Sequence, residues 1–484
     1  MKFYDIISNL KFMGIKNYKE MEIESLSSST NDENKNGIYF CLKGMNEDGH
    51  KFAKTAIEKG AICLVVEKYL DLPVTQILVE NSRLAMSEIS ATFYETKNGK
   101  IKFIGVTGTN GKTTTTFLIK DILKSMNKSV GLIGTEGIYI NNEILPNDMT
   151  TPDPITLHKT INQMIKAGCE YCVMETSAHA IALNKIDSIY YDVVALSNIT
   201  KDHLDFFLNM ENYIKCKADL FSSKHAKTGV INLDAKYCRD IVKKSDLEIL
   251  TIGKDANLKI ENVNQLKTGN DFVLSYNNKQ HKIKSNLIGE YNVYNLTLAV
   301  GCLLELGFNL KDITKSVNQT QFHVPGRLNF LNDTENINVI VDYAHTPDGI
   351  KNVLSTIKKM PVGKIITIFG CGGNRDKTKR NEMGQTALNL SDYVVVTSDN
   401  PRNENPETII DEIVQGIESK KMVRITDRKS AIEYALSIAK KNDVVAILGK
   451  GNENYQEIKN EKIPFSDYSV VENYFKYKIK SELH

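Results

Sequence analysis

A glycine-rich segment that ends in lysine and threonine carries the clearest chemical signal in this sequence. Residues 107–114 read Thr-Gly-Thr-Asn-Gly-Lys-Thr-Thr, and they lie between the apolar residues 103–106 and a segment with apolar residues at helical spacing. At such a strand-to-helix turn, backbone N–H groups and the helix N-terminus can bind phosphate, Lys112 adds positive charge and the Thr113 hydroxyl can bind Mg²⁺. The pattern predicts a nucleoside triphosphate site; a glycine-rich turn that only connects a strand to a helix is the alternative.

Polar residues also follow two later apolar segments of the same region. Glu175 begins the segment Glu-Thr-Ser-Ala-His-Ala, and residues 202–205 read Asp-His-Leu-Asp. Mg²⁺ prefers oxygen ligands, so Glu175 is the candidate acidic ligand and Thr113 the candidate hydroxyl ligand. His203 is a second candidate beside phosphate, although taken alone it fits a hydrogen-bonded loop histidine better.

The last third of the chain contains four more polar turns, each placed after an apolar run. These turns are residues 342–348, 370–380, 399–402 and 449–453. Arginine binds carboxylates through two parallel hydrogen bonds, and a carboxylate binds an ammonium group. Arg375, Asn400, Arg402 and Glu453 would together form a pocket selective for a zwitterion. Each turn taken singly is also consistent with an ordinary solvated loop.

Apolar segments of strand length alternate with helical patterns along most of the chain. The predicted strands are residues 37–44, 61–66, 76–79, 103–106, 130–133, 171–174, 193–196, 229–232, 339–341, 365–369, 393–396 and 444–448, with a helix over 82–94. This rhythm predicts an α/β protein of three domains: a small N-terminal α/β domain, a central P-loop ATPase-like domain with a mostly parallel sheet, and a C-terminal Rossmann-like α/β domain. The predicted domains are residues 1–98, 99–325 and 326–484. Ligands bind at the carboxyl ends of strands in such sheets, where the polar clusters are expected.

The composition is that of an ordinary globular protein: 484 residues, 41% hydrophobic and 25% charged, with a net charge of +2. This small charge gives no case for nucleic-acid binding, and no apolar run is long enough to span a bilayer. The first residues, Met-Lys-Phe-Tyr-Asp-Ile-Ile-Ser, lack the features of a signal peptide. Cys169 and Cys172 have no second cysteine pair for zinc and are predicted to be buried thiols. We therefore expect a cytoplasmic monomer without nucleic-acid or membrane partners.

Seven blocks, in order along nearly the whole chain, resemble those of the Mur ligase family. They are residues 107–114, 150–154 (Thr-Thr-Pro-Asp-Pro), 175–180, 202–205, 323–327 (His-Val-Pro-Gly-Arg), 342–347 (Asp-Tyr-Ala-His-Thr-Pro) and 449–453 (Gly-Lys-Gly-Asn-Glu). A single block is a weak signal, whereas seven in the expected order are a strong one. The Asp-Asn-Pro-Arg at 399–402 resembles the signature of the UDP-N-acetylmuramoyl-tripeptide synthetases that add meso-diaminopimelate rather than lysine.

The resemblance implies an ATP-dependent carbon–nitrogen ligase of peptidoglycan precursor synthesis. A carboxylate of UDP-N-acetylmuramoyl-L-alanyl-D-glutamate would attack the γ-phosphate of ATP and form an acyl phosphate. The amine of meso-diaminopimelate would then displace phosphate. Mg²⁺ is the implied cofactor, with ATP as co-substrate.

The resemblance also implies roles for individual residues. The implied catalytic residues are Lys112, Glu175, His203 and Lys217, and the implied Mg²⁺ ligands are Thr113, Glu175, His203 and a carbamylated Lys217. ATP contacts are implied for Gly108, Thr109, Asn110, Gly111, Lys112, Thr113, Thr114, Asn295, Arg327, Asp342 and His345. Contacts with the UDP-sugar-peptide are implied for Thr150, Thr151, Ser177 and Lys185. Contacts with the amino acid are implied for Arg375, Asn400, Arg402, Gly449 and Glu453.

Several departures from the family pattern stand out. The first unit lacks the Asp-Ser-Arg that is usual before its first strand, and Ser28-Ser-Thr30 stands near that place. Lys185 stands where arginine is common, and Asn329, Asn374 and Asn452 stand where Glu, Asp and His are usual. Two alternatives therefore stay open beside the diaminopimelate-adding ligase. One is a family ligase that adds lysine or another amino acid, and the other is a nucleotide-binding regulatory protein that does not ligate.

Overall fold

The structure of the chain is a computed structural model that describes residues 1–44, 47–97, 99–266, 268–332, 337–459 and 461–482. It contains three α/β units, each built on its own main sheet. Among the described residues, no helix is both long and apolar enough to cross a membrane. The domain boundaries at 98/99 and 325/326 stay predictions, and residue 98 lies outside the described residues.

The first unit is a small sheet with helices packed on it. Its elements are α1 (Phe3–Ile7), β1 (Gly14–Lys16), β2 (Ser25–Ser27), β3 (Gly37–Phe40), a 3₁₀ turn (Gly49–Phe52), α2 (Ala53–Glu58), β4 (Ala61–Val66), β5 (Thr75–Leu78) and α3 (Ser82–Phe93). The strand order is β1-β5-β4-β3-β2, and every pair is parallel except β1 with β5. The three predicted strands and the helix over 82–94 are confirmed, although β3 ends at Phe40 rather than at residue 44.

The central unit contains an eleven-stranded sheet that carries the glycine-rich loop. Its elements are β6 (Lys102–Thr107), α4 (Lys112–Ser125), β7 (Val130–Gly134), β8 (Gly137–Ile140), β9 (Glu143–Leu145), α5 (Pro154–Lys166), β10 (Tyr171–Glu175), α6 (Ala178–Ala182), β11 (Tyr191–Leu196), α7 (Leu204–Phe207), α8 (Met210–Asp219), β12 (Ala226–Asn232), α9 (Cys238–Lys244), β13 (Glu248–Gly253), β14 (Leu258–Leu266), β15 (Gly269–Tyr276), β16 (Lys279–Ser285), α10 (Glu290–Glu305) and α11 (Leu310–Gln319). The strand order is β16-β15-β14-β13-β12-β11-β6-β10-β7-β8-β9.

The middle of this sheet is parallel, from β14 to β7, whereas β15–β16 and β8–β9 add antiparallel strands at its two ends. Strands β6, β10 and β11 are apolar almost throughout because helices cover both faces of the sheet. This arrangement brings the carboxyl ends of β6, β7, β10 and β11 to one edge. The predicted mostly parallel central sheet is confirmed.

The third unit repeats the α/β pattern on a six-stranded sheet. Its elements are β17 (Asn329–Asn332), β18 (Asn338–Asp342), α12 (Pro347–Lys358), β19 (Ile365–Phe369), a 3₁₀ turn (Lys377–Lys379), α13 (Arg380–Leu390), β20 (Tyr393–Val396), α14 (Pro406–Val414), β21 (Met422–Arg424), α15 (Arg428–Ile438), β22 (Val444–Leu448), the hairpin β23 (Tyr455–Ile458) and β24 (Glu461–Pro464), and α16 (Asp467–Glu482). The order is β17-β18-β22-β19-β20-β21, parallel except for β17. The four predicted strands of this unit are confirmed.

Candidate active site

The glycine-rich loop joins β6 to α4 and is held from one side by the turn after β11. Asn198 accepts the N–H of Thr109 through its main-chain oxygen (2.9 Å) and the N–H of Asn110 through Oδ1 (3.0 Å). Gly111 has a φ of 87°, a left-handed conformation that favours glycine, and α4 begins at the next residue. A side chain at Gly108 would overlap the Ser197 hydroxyl. The loop is therefore shaped for a close backbone approach at a helix N-terminus, which is an anion site.

Lys112 lies in the concave side of this loop. Its Nζ donates to the main-chain oxygens of Gly108 and Thr109, both at 2.9 Å. Burial lowers the pKa of Lys112, while the charges of Glu175 and Asp202 raise it. The ammonium group thus sits among loop carbonyls and between two acidic groups, where a phosphate could take over its hydrogen bonds. Thr114 is buried in the first turn of α4.

Glu175 ends β10 and faces the first turn of α4. Its fully buried carboxylate accepts hydrogen bonds from the Thr113 hydroxyl (3.0 Å), the Thr135 N–H (2.8 Å) and the Thr135 hydroxyl (3.2 Å). A side chain at Gly134 would overlap Glu175, so β7 must pass close to this carboxylate. A hydroxyl and a carboxylate in contact are a donor pair of the kind that Mg²⁺ prefers.

His203 stands at the start of α7, with Nε2 3.4 Å from an oxygen of Asp202. Burial lowers the pKa of His203 to about 3, so the imidazole is neutral near pH 7. Its ring packs edge-on against His179, with 4.8 Å between ring centroids. Lys379, from the third unit, donates to Asp202 at 3.0 Å. Burial raises the pKa of the Asp202 carboxyl, but Lys379 and His203 outweigh burial and hold that pKa below its usual range.

Lys217 on α8 contacts the beginning of the glycine-rich loop. Its Nζ donates to the oxygen of Gly108 (3.0 Å) and to the Thr107 hydroxyl (3.3 Å), and it lies over the ring of Tyr213. The side chain is 1% exposed. Burial first, and the nearby Lys112 second, lower the pKa of Lys217 well below its ordinary value. A neutral, buried amine is the form that reacts with carbon dioxide to give a carbamate.

Arg327 extends from the third unit onto the phosphate loop. Its guanidinium donates to the Thr113 hydroxyl (3.0 Å), pairs with Glu136 (3.4 Å) and lies over the ring of Tyr343, 4.5 Å from the centroid. Asp342 accepts the N–H groups of Leu328 (2.7 Å) and Ala344 (2.8 Å), one on each carboxylate oxygen. In this structure Asp342 therefore holds the turn that carries Arg327.

An open cleft of about 110 Å³ adjoins the loop. Its lining residues are Asn110, Gly111, Ser197, Asn198, Asn232, Tyr291, Tyr294, Asn295, Leu298 and Asn352. Asn295 packs directly under Gly111 and donates to Asn292 at 3.0 Å. His345 turns Nδ1 toward the oxygen of Tyr343 (2.9 Å), and burial lowers its pKa to about 4. Aromatic and amide groups around a cleft beside the phosphate loop are suited to a nucleoside.

The four residues predicted for the UDP-sugar-peptide form one connected cluster behind Glu175. Thr151 donates to the main-chain oxygen of Glu175 (2.8 Å) and to the Ser177 hydroxyl (3.2 Å). Lys185 donates to the main-chain oxygen of Thr151 (3.2 Å), and the Thr150 hydroxyl lies 3.0 Å from that of Thr135. The cluster is therefore directly adjacent to Glu175, the candidate metal ligand.

The residues predicted for the amino acid come from three turns of the third unit and lie together. Asn400 donates to Glu453 (2.9 Å), and Arg402 donates to the main-chain oxygen of Gly373 (2.9 Å) while its Nε pairs with Glu457 (2.8 Å). Burial, and then the charge of Arg402, lower the pKa of Arg375. The two side chains lie close together, because a Cβ at Gly372 would be 2.9 Å from Nη1 of Arg402 and 3.7 Å from Cγ of Arg375.

Gly449, the remaining predicted residue, has a φ of 112°, and a Cβ there would lie 2.7 Å from an oxygen of Asp399. The turn at 449–453 must therefore approach the turn at 399–402 closely. This close approach is what unites Glu453 with Asn400.

Three residues of this site are not singled out by sequence patterns. Thr135 follows β7 without a motif. Lys379 is one of several cations in the turn at 370–380, and Lys450 lies inside the block 449–453, yet both are buried against acidic partners. The density of charge in those turns was the available signal, but it could not show which side chain points inward.

Comparisons with known proteins agree with this architecture. The model of the Mur ligase middle domain matches residues 106–303, and that of the Mur ligase glutamate ligase domain matches residues 326–451. The chain belongs to the Mur ligase family.

Full-length relatives narrow the comparison further. UDP-N-acetylmuramoyl-L-alanyl-D-glutamate--2,6-diaminopimelate ligase 1 of Clostridium acetobutylicum is 40% identical over 483 residues, which cover 98% of this chain and 99% of the relative. The UDP-N-acetylmuramoyl-L-alanyl-D-glutamate--2,6-diaminopimelate ligase of Aquifex aeolicus is 40% identical over 450 residues, which cover 93% of this chain and 93% of the relative.

Solved structures show the same fold. A UDP-N-acetylmuramoyl-L-alanyl-D-glutamate--2,6-diaminopimelate ligase aligns with a TM-score of 0.66 at 30% identity, covering 94% of this chain and 95% of the other. A MurF ligase of Thermotoga maritima in complex with ADP aligns with a TM-score of 0.63 at 21% identity, covering 94% of this chain and 98% of the other. The second likeness concerns the fold alone.

Proposed function

We propose that this chain is an ATP-dependent ligase that joins meso-diaminopimelate to UDP-N-acetylmuramoyl-L-alanyl-D-glutamate. Relatives that match nearly the whole chain at about 40% identity bear the name of that ligase. One observation within the chain supports the amino acid in particular: Arg375, Arg402 and Asn400 lie together around Gly372, and Asn400 donates to Glu453. Two cations beside a carboxylate suit a side chain that carries both a carboxylate and an ammonium group.

The residues around the phosphate loop fit ATP together with Mg²⁺. The Thr113 hydroxyl and the Glu175 carboxylate, 3.0 Å apart, would hold the ion, with the neutral imidazole of His203 as a further ligand. When bound there, Mg²⁺ would neutralise charge on the β- and γ-phosphate oxygens. Lys112 and Arg327 would add positive charge from two sides of the same phosphates.

The proposed reaction has two steps. The side-chain carboxylate of the dipeptide's glutamate attacks the γ-phosphorus, the bond to the β-phosphate oxygen breaks, and ADP leaves. The amine nitrogen of the amino acid then attacks the acyl carbon, the carbon–oxygen bond to phosphate breaks, and the nitrogen loses a proton. Thr151, Ser177 and Lys185 would orient the dipeptide, since their cluster adjoins Glu175.

We further propose that Lys217 is carbamylated in the active protein. Its burial and lowered pKa favour the neutral amine, whose nitrogen attacks the carbon of carbon dioxide and then loses a proton. The product carries a carboxylate-like group next to Gly108, where it would serve as an additional oxygen ligand. A cytoplasmic location and a monomeric state complete the proposal.

Phosphate release measured with ATP, Mg²⁺ and UDP-N-acetylmuramoyl-L-alanyl-D-glutamate tests the function. Meso-diaminopimelate, L-lysine and other amino acids are added one at a time, and the ligated product is identified by mass spectrometry. The Lys112→Met variant is the control for contaminating ATPases, because it lacks the loop cation. We expect turnover that depends on meso-diaminopimelate. Turnover with L-lysine alone would refute the proposed acceptor, and no turnover with any amino acid would favour the regulatory alternative.

A further inference from the structure

Lys450 is a fully buried lysine of the turn at 449–453, where that turn meets the turn at 399–402; we call these two the recognition turns. Its Nζ donates to Glu453 at 2.7 Å and to Oδ1 of Asn400 at 3.0 Å, and the ring of Tyr455 lies 5.6 Å away. The side chain has no exposed surface. Lys450 therefore cannot touch an amino acid in the cleft, and any influence on recognition must act through Asn400 and Glu453.

The contact with Asn400 fixes which way its amide faces. Oδ1 accepts from Lys450 and from the N–H of Glu457, both at 3.0 Å. Lysine and a backbone N–H have no acceptor to offer, so the amide nitrogen of Asn400 must point the other way. It donates to Glu453 at 2.9 Å, and in the proposed function its second hydrogen would meet the ligand carboxylate.

The contact between Lys450 and Glu453 gives the two carboxylate oxygens of Glu453 different partners. Oε2 accepts from both Lys450 and Asn400, whereas Oε1 has the Tyr343 hydroxyl at 3.5 Å. Oε1 is thus the oxygen left for a ligand ammonium group. The charge of Lys450 also weakens the pull of Glu453 on a ligand that is only a cation.

We propose that Lys450 is a positioning residue that determines amino-acid specificity. By holding Asn400 and Glu453, it makes the cleft favour an amino acid whose side chain carries a carboxylate beside its ammonium group over one that carries the ammonium group alone. Arg375 and Arg402 act in the same direction, because their charges repel a ligand without a carboxylate. This inference rests on the proposed ligase function.

The test compares kcat/KM for meso-diaminopimelate with kcat/KM for L-lysine in the full-length Lys450→Met variant. Without Lys450, Oδ1 of Asn400 keeps only the N–H of Glu457 as a donor, and Glu453 attracts cations more strongly. We expect the ratio of the two values to fall about tenfold or more, through a higher KM for meso-diaminopimelate, while KM for ATP changes by less than about twofold. A purely structural role would lower both values together and leave the ratio unchanged.

Lys462 supplies a matched control. Its Nζ lies 4.9 Å from the same Tyr455 ring, but it is half exposed and pairs with Asp148 outside the recognition turns. Lys462→Met should keep the wild-type ratio. Thermal melting by circular dichroism shows whether each variant is folded at the assay temperature.

If Lys450→Met is unfolded, Lys450→Gln replaces it, because glutamine can donate to Asn400 without a charge. We expect a smaller fall of the ratio in this variant. A folded variant whose ratio stays within about twofold of wild type would overturn the inference while leaving the ligase function intact. A wild-type protein that uses L-lysine and not meso-diaminopimelate would overturn both.

Discussion

Replacing Gly111 by alanine is the most direct test of how the phosphate loop is built. Gly111 has a φ of 87° and stands immediately before α4. A Cβ there would overlap Oδ1 of Asn295 and come within 3.3 Å of its Cγ. Asn295 is 6% exposed and donates to Asn292 at 3.0 Å, so its amide has little freedom to move aside.

Two effects of different size follow from this geometry. The left-handed conformation costs alanine about 1–2 kcal/mol in folding free energy. The overlap adds a displacement, because carbon–oxygen contacts normally begin near about 3.5 Å, and the loop or the Asn295 amide must shift by about 1 Å. A shift of about 1 Å in a group that positions substrate can lower the rate about 100-fold, which corresponds to about 2.7 kcal/mol. We therefore expect kcat/KM for ATP to fall about 100-fold in Gly111→Ala.

Gly168 offers a matched control within the same chain. It has a φ of 74°, but a Cβ there would meet nothing within 4 Å. Gly168→Ala should lower the melting temperature less than Gly111→Ala, because it has the backbone cost without the overlap, and leave kcat/KM for ATP within about twofold of wild type. The assay is ATP-dependent phosphate release at saturating dipeptide and amino acid, with melting followed by circular dichroism.

The Asn295→Ala background isolates the overlap from the backbone strain. In that background the Cβ of Ala at position 111 meets an open space, so adding Gly111→Ala should lower kcat/KM by less than about tenfold. Two results would refute the reasoning. One is a Gly111→Ala variant whose kcat/KM stays within about threefold of wild type, and the other is an equal loss in both backgrounds.

Two further predictions concern the metal carboxylate and an acid-sensitive ion pair. Glu175→Gln keeps the side-chain shape but loses the negative charge beside Thr113. The Mg²⁺ concentration for half-maximal turnover should therefore rise about tenfold or more. An unchanged Mg²⁺ titration would argue against Glu175 as a ligand. Hydrogen bonds from Arg380 lower the pKa of Glu404 from 4.5 to about 2, so this carboxylate stabilises the folded state above pH 4.5 and loses that contribution as the pH falls toward 2. Glu404→Gln should therefore destabilise the folded state near pH 7, by about 1–2 kcal/mol once solvent screening is included, and progressively less below pH 4.5. The measurement is the difference in melting curves from wild type, and a difference independent of pH would contradict this sign.

Strands buried on both faces could be predicted from the sequence, whereas edge strands could not. Strand β22 is five consecutive apolar residues, and its predicted bounds agree with the structure. Strands β14 to β16 have many polar or partly exposed residues, because α10 and α11 pack on one face of these strands and the alternate side chains point away from that face. Their pairing comes from hairpin geometry and packing against α10 and α11, which no local pattern reveals.

The polar clusters could be predicted to meet within each sheet, since parallel strands end at a common edge. Contacts between sheets could not be predicted. Among the cations of the turn at 370–380, Lys377 is 56% exposed, Lys379 is 10% exposed and Arg380 is 1% exposed, although all three lie within four residues. Which one faces Asp202 depends on the 3₁₀ turn at 377–379 and on how the third unit lies against the central sheet.

Two of the positions that depart from the family pattern have a clear structural role here. Asn374 has a φ of 52°, which asparagine tolerates, and its side chain accepts the N–H of Asn403 at 3.1 Å. Asn329 accepts the N–H of Gly326 and the Tyr468 hydroxyl, both at 2.7 Å, and so holds the turn that carries Arg327. These departures are accommodated by local hydrogen bonds and do not by themselves argue for a different amino acid.

Three of the contacts that join the third unit to the central one use residues of the proposed chemistry. Arg327 reaches Thr113, Lys379 reaches Asp202, and Asn110 donates to Asp348, each at 3.0 Å. Each pair places a group of the third unit next to the phosphate loop or next to His203. If the third unit moved away, positive charge would be removed from the proposed phosphate site. The same movement would separate the proposed amino-acid site from the acyl group. An acyl phosphate is at risk of hydrolysis in water, and an arrangement that completes the phosphate site only when the amino-acid cleft is also in place limits that loss. Closure and catalysis would thus depend on one set of hydrogen bonds.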